Sequence, residues 1–194
     1  MIDILIMIAA LAAGILFGNL SGFVVHSDVI TGVLMVLVFL VGVDIGREEN
    51  ILSKIKVNIK HIIGQSVLTI IGTFLFVLIA SFFLPYNIKE TIGASAGFGW
   101  YSLSGIMISQ LYSPLLGTVS FLSNVFRELL SIILLPFLAK INQRAAVSTA
   151  GATAMDVLLG LISKTTSRKN TLIAFGQGVI LSLLVPLIIS FIFM

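Results

Sequence analysis

Residues 115–139 read LLGTVSFLSNVFRELLSIILLPFLA, 25 positions with a single charged pair, Arg127-Glu128, near their middle. Wound as a helix at 1.5 Å per residue, such a run reaches about 37 Å, enough to cross a bilayer core of roughly 30 Å. A charge at that depth costs from about 2.5 to more than 10 kcal/mol, so it persists only where it is paired or meets water. Consecutive helical positions point about 100° apart, and the two charges therefore need not satisfy each other. A structural ion pair between helices is the plain reading. A cation or proton site at Glu128 is the functional one, and it is favoured because the pair stands in an otherwise apolar span.

Four further apolar runs have the length to cross, at residues 2–20, 28–45, 61–84 and 171–193. The whole chain of 194 residues is 58% hydrophobic and only 10% charged, with a mean hydropathy of +1.18. A soluble domain carries about a quarter charged residues, so this composition cannot build a water-facing surface. Period-two alternation, the mark of a transmembrane β-barrel, is absent from these runs. Having no cysteine, the chain offers no disulfide, thiolate metal site or Cys nucleophile. The first run opens with Asp3, not a basic stretch, and is too long for a signal-peptide core, which argues against cleavage.

Two segments are apolar yet irregular. Residues 91–111 read TIGASAGFGWYSLSGIMISQL, and 145–163 read AAVSTAGATAMDVLLGLIS. Gly, Ser, Ala and Thr let backbones approach closely, and Gly interrupts a helix. Basic residues decide how these segments run. Arg47, Lys54, Lys56 and Lys60 follow the second run, Lys140 and Arg144 follow the fourth, and Lys164, Arg168 and Lys169 follow the second irregular segment. If each irregular segment enters the bilayer and returns, the first from outside and the second from the cytoplasm, nine of the eleven basic residues fall on the cytoplasmic side. The expected architecture is an all-α membrane protein with about five transmembrane helices and two discontinuous or re-entrant Gly-rich segments from opposite sides. The N-terminus is then cytoplasmic and the C-terminus outside. Residues 1–194 form one transport domain, a three-helix section over 1–84 and a site-bearing section over 85–194.

Irregular backbone at membrane depth survives only where protein buries it or water reaches it, so the site is sought there. Asp156, inside the second segment, can exchange a proton for an ammonium group, and with Glu128 it heads the candidates; a cap for a broken helix is its plain alternative. Gly97 and Gly99 open the first segment's turn and expose helix N-terminal NH groups suited to a carboxylate. Tyr101, Ser102 and Ser104 add hydroxyls, and Trp100 and Tyr101 could instead anchor the interface. Arg127, the other candidate to hold a carboxylate, Asn124 and Thr153 complete the set, with Gln177 a further cavity candidate. Asp44 reads as an interface marker, and Gly14/Gly18 and Gly42/Gly46 as helix packing. His26 and His61 stand apart at membrane borders, so no metal is expected. No Ser-His-Asp set or HExxH appears, and neither an enzyme nor a cofactor is expected.

The strings GFGWYSLSGI at 97–106, N-x-x-R-E-L at 124–129 and G-A-T-x-M-D at 151–156 resemble the LysO-type lysine exporter family. The likeness runs through Leu37–Val43 and Gly178–Pro186, covering essentially the whole chain. It implies a bacterial inner-membrane protein that moves L-lysine and its analogue thialysine outward, with the family's intramembrane acids falling on Glu128 and Asp156. Longer members have extra N-terminal helices, which implies a homodimer or a separately encoded small membrane partner. Protons taken up outside and released inside would couple export to the proton gradient, as antiport. No nucleic acid enters this reading. A sodium-coupled carrier of a small organic anion and a non-transport membrane scaffold are the alternatives.

Overall fold

The computed structural model describes residues 51–194 continuously, together with 13, 16–21 and 43. The chain divides into two compact units, Met1–Ile45 and Gly46–Met194. In the first unit, residues 16–21 are helical, and the Ser21 hydroxyl donates to the Phe17 carbonyl at 2.6 Å. The runs 2–20 and 28–45 lie largely outside the described residues, as do Asp44, His26, Gly14, Gly42 and Gly46.

In the second unit, every regular element among the described residues is helical. In chain order they are α1 (Ile51–Ala80), α2 (Ile88–Ser95), α3 (Tyr101–Leu111), α4 (Pro114–Ile141), α5 (Gln143–Ala150), α6 (Leu159–Thr165) and α7 (Arg168–Phe193), with short 3-10 turns at Ser81–Phe83 and Gly151–Met155. Among the described residues, three stretches are long and apolar enough to span a membrane: Lys56–Phe83, Pro114–Ile141 and Arg168–Phe193. They match the sequence-derived runs from 61, 115 and 171. The helix α1 begins ten residues before its apolar run, so Lys56 and Lys60 lie on helix and not in a loop. Lysine is a good helix former, and an apolar window marks only the part of a helix that lipid requires. The last helix is the centre of the unit: 44% of its apolar window is buried, against 17% for each of the other two.

Both irregular segments are broken helices, and each folds back on itself. The first, α2 and α3, starts with a capping box in which Glu90 N–H donates to Asn87 Oδ1 at 2.8 Å and Asn87 N–H to Glu90 Oε2 at 2.9 Å. The other Glu90 oxygen accepts from the Tyr112 hydroxyl, just past α3, at 2.8 Å. That bond lifts the Tyr112 pKa above the usual phenol value. The second segment, α5 and α6, starts on Asn142, whose Oδ1 accepts from the N–H groups of Arg144 and Ala145. Its ends are joined by Gln143 Oε1, which accepts from Ser167 N–H at 3.0 Å and Asn170 Nδ2 at 2.6 Å. The first segment's ends adjoin the start of α4, and the second's adjoin its finish, 28 residues on. At 1.5 Å per residue these two points stand about 42 Å apart. Replacing the Asn87 cap with alanine is expected to cost about 1 kcal/mol, read as a lower unfolding temperature in detergent, with transport little changed.

The two breaks meet at their tips. The N–H of Ala152 donates to the Phe98 carbonyl at 2.8 Å, and both residues are buried. Phe98 and Gly99 carry positive φ values of 47° and 103°, and Gly151 one of 63°. A Cβ on Gly151 would collide with the Phe98 carbonyl oxygen, so glycine is required by close approach as well as by conformation.

Candidate functional site

The site is built on the two breaks and the faces of α4, α1 and α7 that carry them. Ser120, Asn124, Arg127 and Ser131 recur along α4 at steps of four, three and four, which places them on one helical face. All four donate to carbonyls that the broken helices leave open. Ser120 Oγ donates to the Ala94 carbonyl at 2.8 Å, and Asn124 Nδ2 reaches it at 3.3 Å, at the end of α2. Arg127 Nη2 donates to the Ser148 carbonyl at 3.1 Å and Nε to the Thr149 carbonyl at 3.1 Å, in the last turn of α5. Ser131 Oγ also donates to the Thr149 carbonyl, at 2.8 Å. The final carbonyls of a helix have no intrahelical partner, and in a bilayer core no water replaces one. This stripe supplies the missing donors.

A second stripe braces the second break from α1. Gln65, Thr69 and Thr73 are spaced by four. Gln65 Nε2 donates to the Arg144 carbonyl at 2.8 Å and to Ser148 Oγ at 2.6 Å. Thr69 Oγ1 donates to Gln177 Oε1 at 3.2 Å, and Gln177 Nε2 in turn reaches the Gly151 carbonyl at 3.2 Å and the Val147 carbonyl at 3.4 Å. Thr73 Oγ1 accepts from Arg127 Nη1 at 3.2 Å.

These contacts sort the candidates. Asn124 is buried; its Oδ1 accepts from Gly99 N–H at 2.7 Å while its Nδ2 also donates to the Ser120 carbonyl at 2.9 Å. Ser104 is fully buried beside Ser120 and Asn124. Gly97 packs where a Cβ would press on Ser104 Oγ and Asn124 Nδ2, and Gly99 lies against the Ala150 carbonyl. Thr153 is buried, its hydroxyl donating to the Ala150 carbonyl at 2.8 Å. Gln177 is fully buried and clamps the second break. Asn124, Ser104, Gly97, Gly99, Thr153 and Gln177 therefore hold the breaks together.

Glu128, Asp156, Tyr101 and Ser102 are placed differently. Glu128 is half-buried, and its Oε2 is the one buried side-chain polar atom among the described residues that has no hydrogen-bond partner. Asp156 is half-buried at the end of the second break, Oδ1 accepting from Val157 N–H at 2.6 Å. Glu128 lies within range of the charge on Asp156, and the Tyr101 hydroxyl is within range of both. Tyr101 opens α3 and rests edge-on against Phe121, ring centroids 5.4 Å apart. Ser102, next in the first turn of α3, is exposed, and Trp100 before it is 37% exposed. The adjacent Arg127 and Glu128 do not form an ion pair: the arginine turns to the α5 carbonyls. Sequence reading passed over Gln65, Thr73, Ser120 and Ser131. Their signal was present in the four-residue spacing of polar groups along spans that are otherwise apolar.

Among the described residues, then, membrane-length helices carry two broken helices that touch tip to tip. The sequence profile of the family described as lysine exporter LysO matches residues 8–193, and the chain belongs to that family. It is 35% identical over 158 residues to the lysine exporter LysO of Escherichia coli K12, covering 81% of this chain and 52% of that protein. To the protein named "Putative lysine exporter" of Haemophilus influenzae it is 31% identical over 159 residues, covering 82% of this chain and 81% of that protein. The chain thus spans about half the length of its Escherichia coli relative. No solved structure matches it.

Proposed function

We propose that this chain exports L-lysine, and with it thialysine, across the bacterial inner membrane, in exchange for protons. The observation that supports the proposal is the buried, unpartnered Glu128 Oε2 on α4, with Asp156 at the end of the second break acting on the same carboxyl by its charge. Lysine brings two ammonium groups and one carboxylate. The two acids take the ammonium groups, and the open first turn of α3, with Tyr101 and Ser102, takes the carboxylate. When the substrate leaves, a proton takes its place on an acid, because a bare carboxylate at membrane depth is costly. An organic anion would be repelled by this pair, so the sodium-coupled reading has no comparable support.

In this reading the folded-back segments α2–α3 and α5–α6 enter the bilayer from opposite faces, between about five crossing helices. Their joined ends support it. So does the distribution of charge: Lys140, Arg144, Lys164, Arg168 and Lys169 all fall near the end of α4 where the second segment begins and ends. That end is cytoplasmic, as is the N-terminus, and the C-terminus is outside. A homodimer, or a small membrane partner encoded separately, completes the assembly.

The test is transport of labelled lysine into and out of vesicles holding this chain alone. Lysine flux that an imposed proton gradient accelerates, and that collapse of the gradient slows, is the expected result. Flux indifferent to protons but dependent on sodium would reject the mechanism.

A further inference from the structure

Arg127 is the guanidinium that stands mid-way along a span, and its surroundings differ from those of a substrate-binding arginine. Three of its donors are engaged: Nε with the Thr149 carbonyl at 3.1 Å, Nη2 with the Ser148 carbonyl at 3.1 Å and Nη1 with Thr73 Oγ1 at 3.2 Å. The guanidinium carbon stands 6.0 Å from the centre of the Phe98 ring, within cation–π reach. One cation therefore touches α1, the end of α5 and the tip of the first break. It also closes the negative end of the α5 helix dipole, where a positive charge is stabilising. Around it, Ser120, Asn124 and Ser131 on the same face of α4 likewise donate to the carbonyls of the broken helices. Arg127 is thus a member of a stripe whose work is to hold backbone.

Asp156 lies six residues past Ala150, where α5 ends. Its place depends on where that end is held, and the end is held by Arg127 from the position next to Glu128. We propose that Arg127 is the positioning residue of the acid pair: by fixing the α5 terminus against Phe98, it sets Asp156 opposite Glu128, and it does not bind the substrate carboxylate. This rests on the transport reading above and extends it, since it assigns the spare cation of the site to the protein and not to the cargo.

The two roles separate with pentane-1,5-diamine, which is lysine without its carboxylate. Competition against lysine flux gives a half-saturating concentration for each compound. In Arg127→Lys, a positioning role raises both by the same factor, tenfold or more. Thr73→Val, which removes one of the three contacts, raises both by a smaller shared factor and decides the matter if the lysine variant does not fold. A loss confined to lysine, with the diamine unaffected, would make Arg127 a carboxylate ligand and overturn the proposal; unchanged values for both would do the same. Amide exchange gives a readout that needs no substrate. The Ala152 N–H, bonded to Phe98, exchanges faster in either variant while the amides of central α7 stay protected. Exchange quickened throughout α7 would reduce Arg127 to ordinary packing and overturn the proposal. If the unaltered chain moves no lysine, the functional reading fails, and the Ala152 result still stands or falls by itself.

Discussion

Glu128→Gln is expected to fold, to be at least as stable as the unaltered chain, and to lose lysine export by a factor on the order of a hundred. The size follows from the cost of deleting one partner of a desolvated charge contact, about 2–5 kcal/mol, with each 1.4 kcal/mol worth about tenfold. The opposite sign for stability follows from the buried Oε2, which has no hydrogen-bond partner to lose. Glutamine keeps the shape and removes a charge that nothing in the protein compensates, and sites built for function commonly sit at such an expense of stability. Export from reconstituted vesicles and an unfolding temperature in detergent measure the two. Phe126→Leu, two positions earlier on α4 but 60% exposed, serves as the comparison and should leave both near their starting values. Full export by the glutamine variant would remove Glu128 from the coupling mechanism.

The largest structural effect is expected from Gly151→Ala. The new methyl would be driven into the Phe98 carbonyl oxygen, at a residue whose φ of 63° and ψ of −128° favour glycine alone. Backbone strain of this kind costs about 1–3 kcal/mol, and overpacking in a filled interior adds about 1–3 kcal/mol. The breaks should part, Ala152 should lose its acceptor, and transport should cease together with a marked fall in unfolding temperature. Gly160→Ala provides the contrast, because a Cβ there has open space around it within α6. Alanine is the better helix former by about 1 kcal/mol, so this variant should be neutral or slightly stabilised. Equal tolerance at the two positions would mean that the meeting of the breaks is not needed.

Three of the spans and both breaks were legible in the sequence for simple reasons. A run such as 171–193 must be helical if it is to satisfy its backbone in lipid, and the small, Gly-bearing strings around 97–99 and 151 loosen a helix. Glu128 and Asp156 stand out in the sequence because charge is expensive in an apolar stretch. The fate of Arg127 does not. Sequence leaves its partner open, and its acceptors are carbonyls of Ser148 and Thr149, about twenty residues away. A main-chain acceptor carries no side-chain signature, so nothing in the string marks it. The same holds for Asn124, which reads as a cavity amide and proves to span Gly99, Ala94 and Ser120. The polar spacing of 65, 69 and 73, and of 120, 124, 127 and 131, was the available sign that these spans cradle something broken.

The bond from Ala152 to Phe98 is main chain to main chain, and main chain has no rotamer to swing. A carrier that opens alternately to either face cannot hinge at such a joint without rupturing it. The pair of tips would then travel as one hub, and the give would lie at the far rims, where Tyr112 is tied to Glu90 and Asn170 to Gln143 by side chains alone. Fastenings of that sort can be released one at a time, leaving the centre whole.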